Sequence, residues 1–583
     1  MELKVATVLV GNLVERLERN DYKLEGSLTE REKVALQELL SLARNPAPPT
    51  RAPSTESAPV APDQSDQSSD TEISKPAIAK TDLPTSKFDL NTRALTQAPD
   101  RDITLCLDFG TAYSKAAFWD TSKEIGDPDD GANCCRALPI GRQAGETGFV
   151  YPVSSSVYVC ADGTIYFGPA AVAASIRDND PRHSRFENPK EYLSKPVGEN
   201  FYTQVLPPEF DPTGSGLTYY EVLQAYLAYL TSHTNQAAKQ SGCDGLLRRR
   251  FAIPNWTGDK SEFVKKEMRR ILLNAQVLAD SVDPDLWSKG HTVEFLREAV
   301  RQTQKATARA DSSAIEHAIY ESTAAASGAV AKLRNSKDIF LVADIGAGTC
   351  DLGLYYAVSP AARTDKPIKF ASLCDARDVV NRGGRFFDDQ LRNIIIDKLG
   401  IDSGGPESHR LRPLIDREIQ NLKHLLFQTG ECRTLLDGQT ITVTLEEFEQ
   451  RNAIQQFVQM FSNSVRKLLR AGGAENFAAK HNRVRCVLTG GGSATPFIRR
   501  LFERPMQVDE SNIAFSIVDP TPAWVEAGDE ALFRTYPQMA VAMGGCDPSL
   551  PQEVQAIRDI TKPTTIVRVG SIADGYRVST KAT

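Results

Sequence analysis

The chain has 583 residues, of which 41% are hydrophobic and 25% are charged, as in an ordinary soluble globular protein. This length exceeds what one hydrophobic core supports, so roughly two to four domain-sized units are expected. The net charge of −7 and the isoelectric point near 5.7 argue against bulk electrostatic binding to nucleic acid or acidic membranes. A local basic patch stays open, and Arg248–Arg250 is one candidate for it, but this run leads directly into apolar residues and is interpreted as the edge of a buried strand.

The ten cysteines are scattered without Cys-x-x-Cys spacing, and only Cys134 and Cys135 are adjacent. Adjacent cysteines suit neither a disulfide framework nor a zinc site, so buried, reduced thiols are the simplest interpretation. No stretch approaches the ~20 apolar residues that span a bilayer, and the N-terminus lacks the pattern of a secretory signal. We therefore expect a cytoplasmic protein without a membrane span.

Residues 1–45 have the pattern of two short helices. In the second, Thr29 is suited to cap the helix and Glu32 to complete a capping box, and an apolar stripe follows before Pro46 ends the helix. A helical hairpin of this size cannot bury its apolar face alone. It is expected to dock either on the main body of the chain or on a protein partner, and both alternatives stay open.

Residues 46–100 have the composition of a linker. The part from Pro46 to Ser69 is rich in Pro, Ser, Ala and Asp and contains almost no large apolar side chains. Such a segment cannot bury enough surface to offset the entropy of ordering, so disorder is expected.

Strand-like and helix-like segments alternate over residues 101–548, which predicts an α/β architecture with helices covering sheets. Three apolar strands are followed by turn glycines: Ile103–Asp108, Ile339–Asp344 and Val484–Thr489. Helical periodicity covers residues 217–240, 260–280, 293–305, 311–333, 386–399, 409–428 and 446–471. The first two strand–turn–strand units, around 108–112 and 344–349, have similar sequences, which suggests two related lobes.

The first glycine turn follows a strand that ends at Asp108, and it contains Gly110 and Thr111. Glycine lets the backbone approach a phosphate closely, and successive N–H groups with a hydroxyl can face the phosphate oxygens. The carboxylate of Asp108 is suited to hold water on Mg²⁺, a hard cation that prefers oxygen ligands. Taken singly, a strand that ends in Asp-x-Gly is more often an ordinary turn than a binding site.

The second turn repeats this pattern with two carboxylates, Asp344 and Asp351. One is suited to bind hydrated magnesium, and the other to orient an attacking water or its proton. The third turn, 490–493, has three glycines after a strand, which lets a flat purine or ribose lie against the backbone. Three such turns, each after an apolar strand, favour a nucleotide site over three unrelated turns.

Together the three turns resemble the phosphate-one, phosphate-two and adenosine motifs of the superfamily that contains actin, sugar kinases and the seventy-kilodalton heat-shock chaperones. The chaperone branch is most similar. The sequence at 108–114 resembles its Asp-Leu-Gly-Thr-Thr-Tyr-Ser, that at 321–326 its Glu-Pro-Thr-Ala-Ala-Ala, and that at 383–388 its Gly-Gly-x-x-Phe-Asp. The resemblance covers roughly 101–548 and implies an actin-like fold of two lobes, with duplicated ribonuclease-H-like sheets and flanking helices, which binds ATP or ADP with Mg²⁺.

The resemblance also implies roles for single residues. It assigns the magnesium shell to Asp108 and Asp344 and the orientation of the lytic water to Glu321 and Asp351. It places Thr349 at the γ-phosphate. Phosphoryl transfer depends mostly on positioning and charge neutralisation, so this modest set is sufficient.

The family uses a lysine near the γ-phosphate, and Lys190 lies near the expected place, with Lys195 as a rival. The other nucleotide contacts implied by the resemblance are Gly110, Thr111, Ala112, Tyr113, Gly346, Ala347, Gly348, Gly383, Gly384, Lys423, His424, Gly490, Gly491, Gly492 and Ser493.

The helix that would cover the base departs from the family pattern. The chaperones have Glu-x-x-Lys-Arg, whereas this chain has Gln420, Lys423 and His424. A histidine can stack on a purine, but it is not a standing cation at neutral pH. Adenine preference is therefore expected to be weaker than phosphate binding. Ala347 replaces a glycine of the family and Ser322 a proline, and either change could alter turnover or the coupling of the lobes.

Only 35 residues, 549–583, follow Pro548. The β-sandwich that binds peptides in the chaperones needs about seven strands in ~100 residues, so a complete sandwich is not expected in this tail. The sequence thus predicts a chaperone-like, ATP-hydrolysing switch whose lobe closure regulates a protein partner, reached through residues 1–45 or through the tail. The alternatives are a nucleotide-dependent scaffold that does not hydrolyse ATP, a small-molecule kinase and an actin-like filament protein.

Overall fold

The described residues belong to the second of two units into which the chain divides, residues 81–583. The computed structural model describes residues 88–123, 131–141, 150–178, 180, 182–194, 201–331, 337–358, 369–402, 404–471, 483–526, 528–548 and 552–554. The predicted hairpin 1–45, the predicted linker up to residue 87, Lys195 and most of the tail 549–583 lie outside the described residues. Residues 88–100, the end of the predicted linker, include a short helix and the first residue of a strand.

The described residues form strands and helices in alternation, as the sequence predicts. The strands are β1 Asp100–Asp108, β2 Tyr113–Asp120, β3 Cys135–Leu138, β4 Val153–Ser154, β5 Val157–Val159, β6 Thr164–Phe167, β7 Leu247–Ile253, β8 His291–Thr292, β9 Ile315–Tyr320, β10 Lys337–Ile345, β11 Cys350–Val358, β12 Lys369–Val380, β13 Glu431–Leu436, β14 Gln439–Thr444, β15 Arg483–Thr489, β16 Met506–Val508, β17 Ser511–Val518 and β18 Gln552–Val554.

Long and short helices alternate with groups of these strands. The α-helices are α1 Arg93–Thr96, α2 Gly131–Cys134, α3 Gly168–Asp178, α4 Tyr219–Gln240, α5 Gly258–Ser281, α6 Leu286–Lys289, α7 Val293–Thr307, α8 Glu321–Ala331, α9 Gly384–Lys398, α10 Pro406–Thr429, α11 Leu445–Gln450, α12 Asn452–Ala471, α13 Pro496–Arg500, α14 Ala523–Glu526 and α15 Glu530–Cys546. Two 3₁₀ helices cover Thr121–Lys123 and Pro189–Ser194. In the part of the chain that the structure describes, no helix combines the length and the apolar composition needed to cross a membrane.

Two of the predicted helices need correction. The predicted helix 311–333 begins as strand β9, because Ile315 and Ile319 are buried where the segment pairs in parallel with β7, and only Glu321 onward is helical. The predicted helix 446–471 is two helices, because Arg451 takes an extended conformation between them. The basic run Arg248–Arg250 lies in β7, so its interpretation as a strand is confirmed.

The two main sheets have the same strand order. In the first, β3, β2 and β1 are antiparallel neighbours, and β7 and β9 follow β1 in parallel. In the second, β12, β11 and β10 are antiparallel neighbours, and β15 and β17 follow β10 in parallel. Strands β16 and β18 extend the edges of the second sheet. The internal similarity in the sequence therefore corresponds to two strand arrangements of the same order and direction.

Each sheet has its own hydrophobic core, and a third apolar cluster joins them. This third cluster contains residues from both sheets, such as Cys106 of β1 and Val487 of β15, together with the small residues of α8 and α15. The two helices approach closely: a Cβ on Gly544 would lie 1.8 Å from the carbonyl oxygen of Ala324. The helix pair α8 and α15 thus lies between the two sheets, next to the ends of the strands that carry the glycine turns. Nine cysteines of the described residues are buried thiols, as the sequence predicts.

Candidate functional site

The three glycine turns lie around one cleft, although they are separated by more than 100 residues of sequence. The first turn joins β1 to β2, the second joins β10 to β11, and the third follows β15, which pairs in parallel with β10. The cleft is lined by Asp108, Gly110, Thr111, Ala112, Tyr113, Lys115, Lys190, Glu321, Asp344, Gly346, Ala347, Gly348, Thr349, Gly490, Gly491, Gln538 and Val541. The strand ends thus bring together most of the residues that the sequence assigns to phosphates, magnesium and water.

The first and second turns face each other across this cleft. A Cβ placed on Gly348 would lie 2.6 Å from the hydroxyl oxygen of Thr111, so a larger residue there would have to displace the Thr111 side chain. The first turn is fixed from behind by a serine, since Ser155 Oγ donates to the carbonyl oxygen of Gly110 at 2.8 Å and its backbone N–H donates to Ala112 O at 2.8 Å. The backbone of the turn is therefore held in place by buried hydrogen bonds.

The third turn depends on a backbone conformation that favours glycine. Gly490 has φ of +80°, and its N–H donates to the carbonyl oxygen of Pro537 in α15 at 2.6 Å. The N–H of Gly492 donates to Ile345 O at 2.9 Å, which ties the third turn to the second. A Cβ on Gly491 would meet no atom within 4 Å, so this residue presents its backbone to open space.

Three carboxylates and two lysines line the cleft. Lys115 Nζ lies 3.0 Å from Asp108 Oδ2, and Lys190 Nζ lies 2.5 Å from Glu321 Oε1. The side chains of Lys190 and Glu321 are only 9% and 7% exposed, so this ion pair is buried. The third carboxylate, Asp344, accepts a hydrogen bond from the Thr489 hydroxyl at 3.1 Å.

The charges in the cleft shift one another's protonation. Burial, together with the negative charges of Glu321 and Asp108, raises the pKa of Asp344 to about 7. Burial by itself would lower the pKa of Lys190, but the adjacent charges of Glu321 and Asp108 outweigh it and raise that pKa. The cleft therefore carries excess negative charge that a cation can neutralise, which is a property suited to a metal ion.

Asp351 is placed differently from the other acids. It is fully buried and does not line the cleft. One of its oxygens accepts from the Thr349 hydroxyl at 2.7 Å, and the other from the backbone N–H of Asn255 at 2.5 Å. Burial and the charge of Glu321 raise the pKa of Asp351 well above its ordinary value. In this arrangement Asp351 fixes the Thr349 hydroxyl, which lines the cleft.

The second turn is supported by the start of α9. The N–H of Gly384 donates to Gly346 O and the N–H of Arg385 to Ala347 O, both at 2.9 Å. Lys423 of α10 lies behind this turn, where its Nζ is 2.7 Å from Asp388 Oδ1 and 3.1 Å from Gly384 O. These contacts hold the helix against the turn.

Six of the predicted nucleotide contacts do not line the cleft as described: Gly383, Gly384, Lys423, His424, Gly492 and Ser493. All of them belong to the start of α9, to the third turn or to α10, the helix that the resemblance predicts to cover the base. His424 is exposed on α10. On this side, Tyr113 of β2 reaches α10, and its hydroxyl donates to Gln420 Oε1 at 3.0 Å.

Lys115, Gln538 and Val541 line the cleft without having been predicted as site residues. The signal for Lys115 is its spacing. It lies seven residues after Asp108 and directly opposite it across the β1–β2 pair, as Asp351 lies opposite Asp344 across the β10–β11 pair. Gln538 is one polar residue at the start of the apolar stretch of α15, a weaker signal.

The donor set fits a phosphate ligand with hydrated magnesium. In the described part of the chain, no three His, Cys, Asp or Glu side chains are placed to hold one metal ion directly. Asp108 and Asp344 supply carboxylate oxygens from two facing turns, and Mg²⁺ commonly binds one or two carboxylates while water and phosphate oxygens complete its octahedral shell. Lys115 and Lys190 also line the cleft, each paired with a carboxylate, and their ammonium groups have further donors that can bind phosphate oxygens.

No protein-family model matches the chain, and no curated protein is significantly similar to it in sequence. The resemblance to the chaperone branch therefore stays a prediction that depends on the motifs.

Proposed function

We propose that the protein binds ATP with Mg²⁺ in this cleft and hydrolyses it, as a divergent relative of the heat-shock chaperone and actin superfamily. The observation that carries the proposal is that three glycine turns meet around three carboxylates and two lysines. Backbone N–H groups, hydroxyls and lysines are the groups that bind phosphates, and paired carboxylates are the groups that bind hydrated magnesium. Ordinary turns would have no reason to meet around buried charges of both signs.

The strand order supports the two-lobed fold of that superfamily. Both main sheets follow the same order of three antiparallel and two parallel strands, and each places an Asp-x-Gly turn after its first strand. We take these as duplicated ribonuclease-H-like sheets, with α8 and α15 between two lobes. In such a fold, a ligand held by turns from both sheets would change how the lobes close.

The residues of the cleft supply the parts that ATP hydrolysis needs. Lys190 and Lys115 neutralise phosphate oxygens, and the carboxylate of Glu321 accepts a hydrogen bond from the attacking water. The Thr349 hydroxyl, fixed by Asp351, contacts the γ-phosphate. Asp108 and Asp344 would hold hydrated magnesium, which would supply further neutralisation of charge on the phosphates.

This activity would serve as a switch. Closure of the lobes around ATP would be read by a protein partner, through residues 1–45 or the tail 549–583, in a cytoplasmic protein of chaperone-like type.

One observation favours a scaffold that binds ATP without hydrolysing it. Asp351, one of the two acids expected to orient water, has both oxygens engaged by protein donors and does not line the cleft. Glu321, the other acid, is already paired with Lys190. Tight Mg-dependent ATP binding without phosphate release would identify this second function.

The test compares ATP binding and phosphate release in the full chain, with and without Mg²⁺. We expect Asp344→Asn and Glu321→Gln each to lower the rate of phosphate release on the order of a hundredfold, because each removes a charge placed at the reacting phosphates. A matched control is Asp338→Asn, since Asp338 lies at the other end of β10 in an ion pair with Arg485 at 3.1 Å. Equal rates in the two cleft variants and this control would refute the proposal.

A further inference from the structure

A buried polar network lies behind the cleft, where both sheets meet helix α8. Its centre is Asn255, which follows β7 and is 1% exposed. The side-chain Nδ2 of Asn255 donates to Ser322 Oγ at 2.9 Å and to the carbonyl oxygen of Leu352 at 2.8 Å. Its backbone N–H donates to Asp351 Oδ1 at 2.5 Å. One residue that continues the first sheet therefore binds both a strand of the second sheet and the first turn of α8.

The network extends to a buried tyrosine. Ser322 Oγ lies 2.8 Å from the hydroxyl of Tyr355, and Thr323 Oγ1 lies 3.0 Å from the same hydroxyl. Ser322 and Tyr355 have no exposed surface. Position 322 is the one at which the similar family has proline, which has no hydroxyl and cannot join such a network. The contacts are therefore a feature of this chain's own sequence.

The two ends of the network lead to the two acids of the site. At one end, Asp351 holds the Thr349 hydroxyl at 2.7 Å. At the other end, Ser322 adjoins Glu321, which pairs with Lys190 inside the cleft. A shift of the Asn255 segment would therefore move groups on both sides of the reacting phosphate. Buried polar networks of this kind fix geometry closely, because an unsatisfied member is costly.

We propose that Asn255 is a positioning residue for ATP hydrolysis. It holds Asp351, and through it Thr349, in register with the start of α8 and the carboxylate of Glu321. Asn255 does not line the cleft, so it acts through these residues and not on the nucleotide. The inference rests on the proposed ATPase function.

The test is steady-state ATP hydrolysis by the full chain carrying Asn255→Ala. We expect kcat to fall on the order of tenfold to a hundredfold, since displacement of reacting groups by about 1 Å has effects of that size. KM for MgATP should change by less than about threefold, because the phosphate-binding turns and lysines are retained.

A matched control separates positioning from general loss of stability. Asn274 is 3% exposed, lies in α5 within the core of the first sheet and binds Thr307. Asn274→Ala should lower the urea midpoint about as much as Asn255→Ala does, with kcat within about twofold of the unmodified chain. If both variants lose kcat equally, Asn255 has only a structural role and the inference is overturned.

Tyr355→Phe provides an independent variant in case Asn255→Ala does not fold. It keeps the ring and removes only the hydroxyl that Ser322 and Thr323 contact. We expect a loss in kcat of about threefold for Tyr355→Phe alone. Where Asn255→Ala folds, the double variant Asn255→Ala/Tyr355→Phe should lose less than the product of the two single losses, since the residues act as one unit. Unchanged kcat in Tyr355→Phe, or fully multiplicative losses, would overturn the inference. Absence of Mg-dependent hydrolysis in the unmodified chain would instead refute the proposed function itself.

Discussion

The first and second turns form the proposed phosphate side of the cleft, and the third turn and α10 form its proposed base side. The two sides are built in different ways. The phosphate side combines turns from both sheets with buried ion pairs, and its charged groups point into the cleft. The base side has the third turn and α10, where Lys423 is bound to Asp388 and Gly384 and where His424 is exposed. If the cleft binds MgATP as we propose, this difference predicts that recognition is concentrated on the phosphates and the cation, with the base recognised more loosely.

The two sides also differ in how their charges are balanced. On the base side, Lys423 and Asp388 form a close pair of opposite sign. On the phosphate side, Asp344 is buried beside two other acids and has a pKa of about 7. Substitutions on the phosphate side should therefore change stability and ATP turnover strongly, and the sign of the change in stability should differ between residues. Substitutions on the base side should change both only slightly.

The largest effect is expected for Lys190→Met. This change leaves Glu321 as a buried charge without its partner, next to other acids, and should lower the free energy of unfolding by about 3–5 kcal/mol. It should also lower ATP turnover by at least about a hundredfold, because a cation at the phosphates is lost. Urea unfolding and phosphate release measure the two effects.

The control for that variant is Lys265→Met. Lys265 pairs with the largely exposed Glu262, so its loss should cost less than about 1 kcal/mol. Similar stability and turnover in the two lysine variants would contradict the view that the phosphate side depends on a buried ion pair.

The next largest effect is expected for Asp344→Asn in metal-free protein, and it has the opposite sign: the free energy of unfolding should rise. Because the pKa of Asp344 rises from 3.8 unfolded to about 7 folded, the folded chain retains a proton that the unfolded chain releases between these values. Stability therefore falls as pH rises from about 4 to 7, and asparagine removes that loss. We expect the variant to be more stable by about 4 kcal/mol at pH 8 and about 2 kcal/mol at pH 5, since one pKa unit corresponds to about 1.4 kcal/mol.

Urea unfolding in EDTA at the two pH values tests this, and the variant should have lost ATP hydrolysis. A variant that is less stable than the unmodified chain at pH 8 would show that Asp344 is stabilised in its charged form. The charges on the phosphate side would then be balanced like those on the base side, and the proposed difference between the two sides would be wrong.

The turns could be predicted from sequence because each is local: an apolar strand, an acid and one or more glycines occupy consecutive positions. Their arrangement around one cleft was inferred from a resemblance, since no local pattern encodes which strands become neighbours. Asp351 shows the limit. Its place in the motif suggests a group that faces water, but the Thr349 hydroxyl and the Asn255 N–H engage it behind the cleft.

The fold shows the same division between local and long-range information. The periodicity of 311–333 looked helical throughout, but pairing with β7 turns its first half into strand β9. Lys115 was missed because its role depends on the cross-strand neighbour Asp108, seven residues away. Asn255 was missed because its partners Ser322 and Asp351 are 67 and 96 residues away along the chain.

The smallest effect is expected for Tyr113→Phe, which tests the base side. It removes the hydrogen bond from the Tyr113 hydroxyl to Gln420 Oε1 and leaves the first turn unchanged. One partly exposed hydrogen bond contributes about 1 kcal/mol, so nucleotide should dissociate about two- to fivefold faster, equally for ATP and GTP. Gln420→Ala should have the same effect, and the double variant should add nothing, because both changes break one contact. A loss much larger for ATP than for GTP would show instead that this contact helps to select adenine, and the base side would then be as specific as the phosphate side.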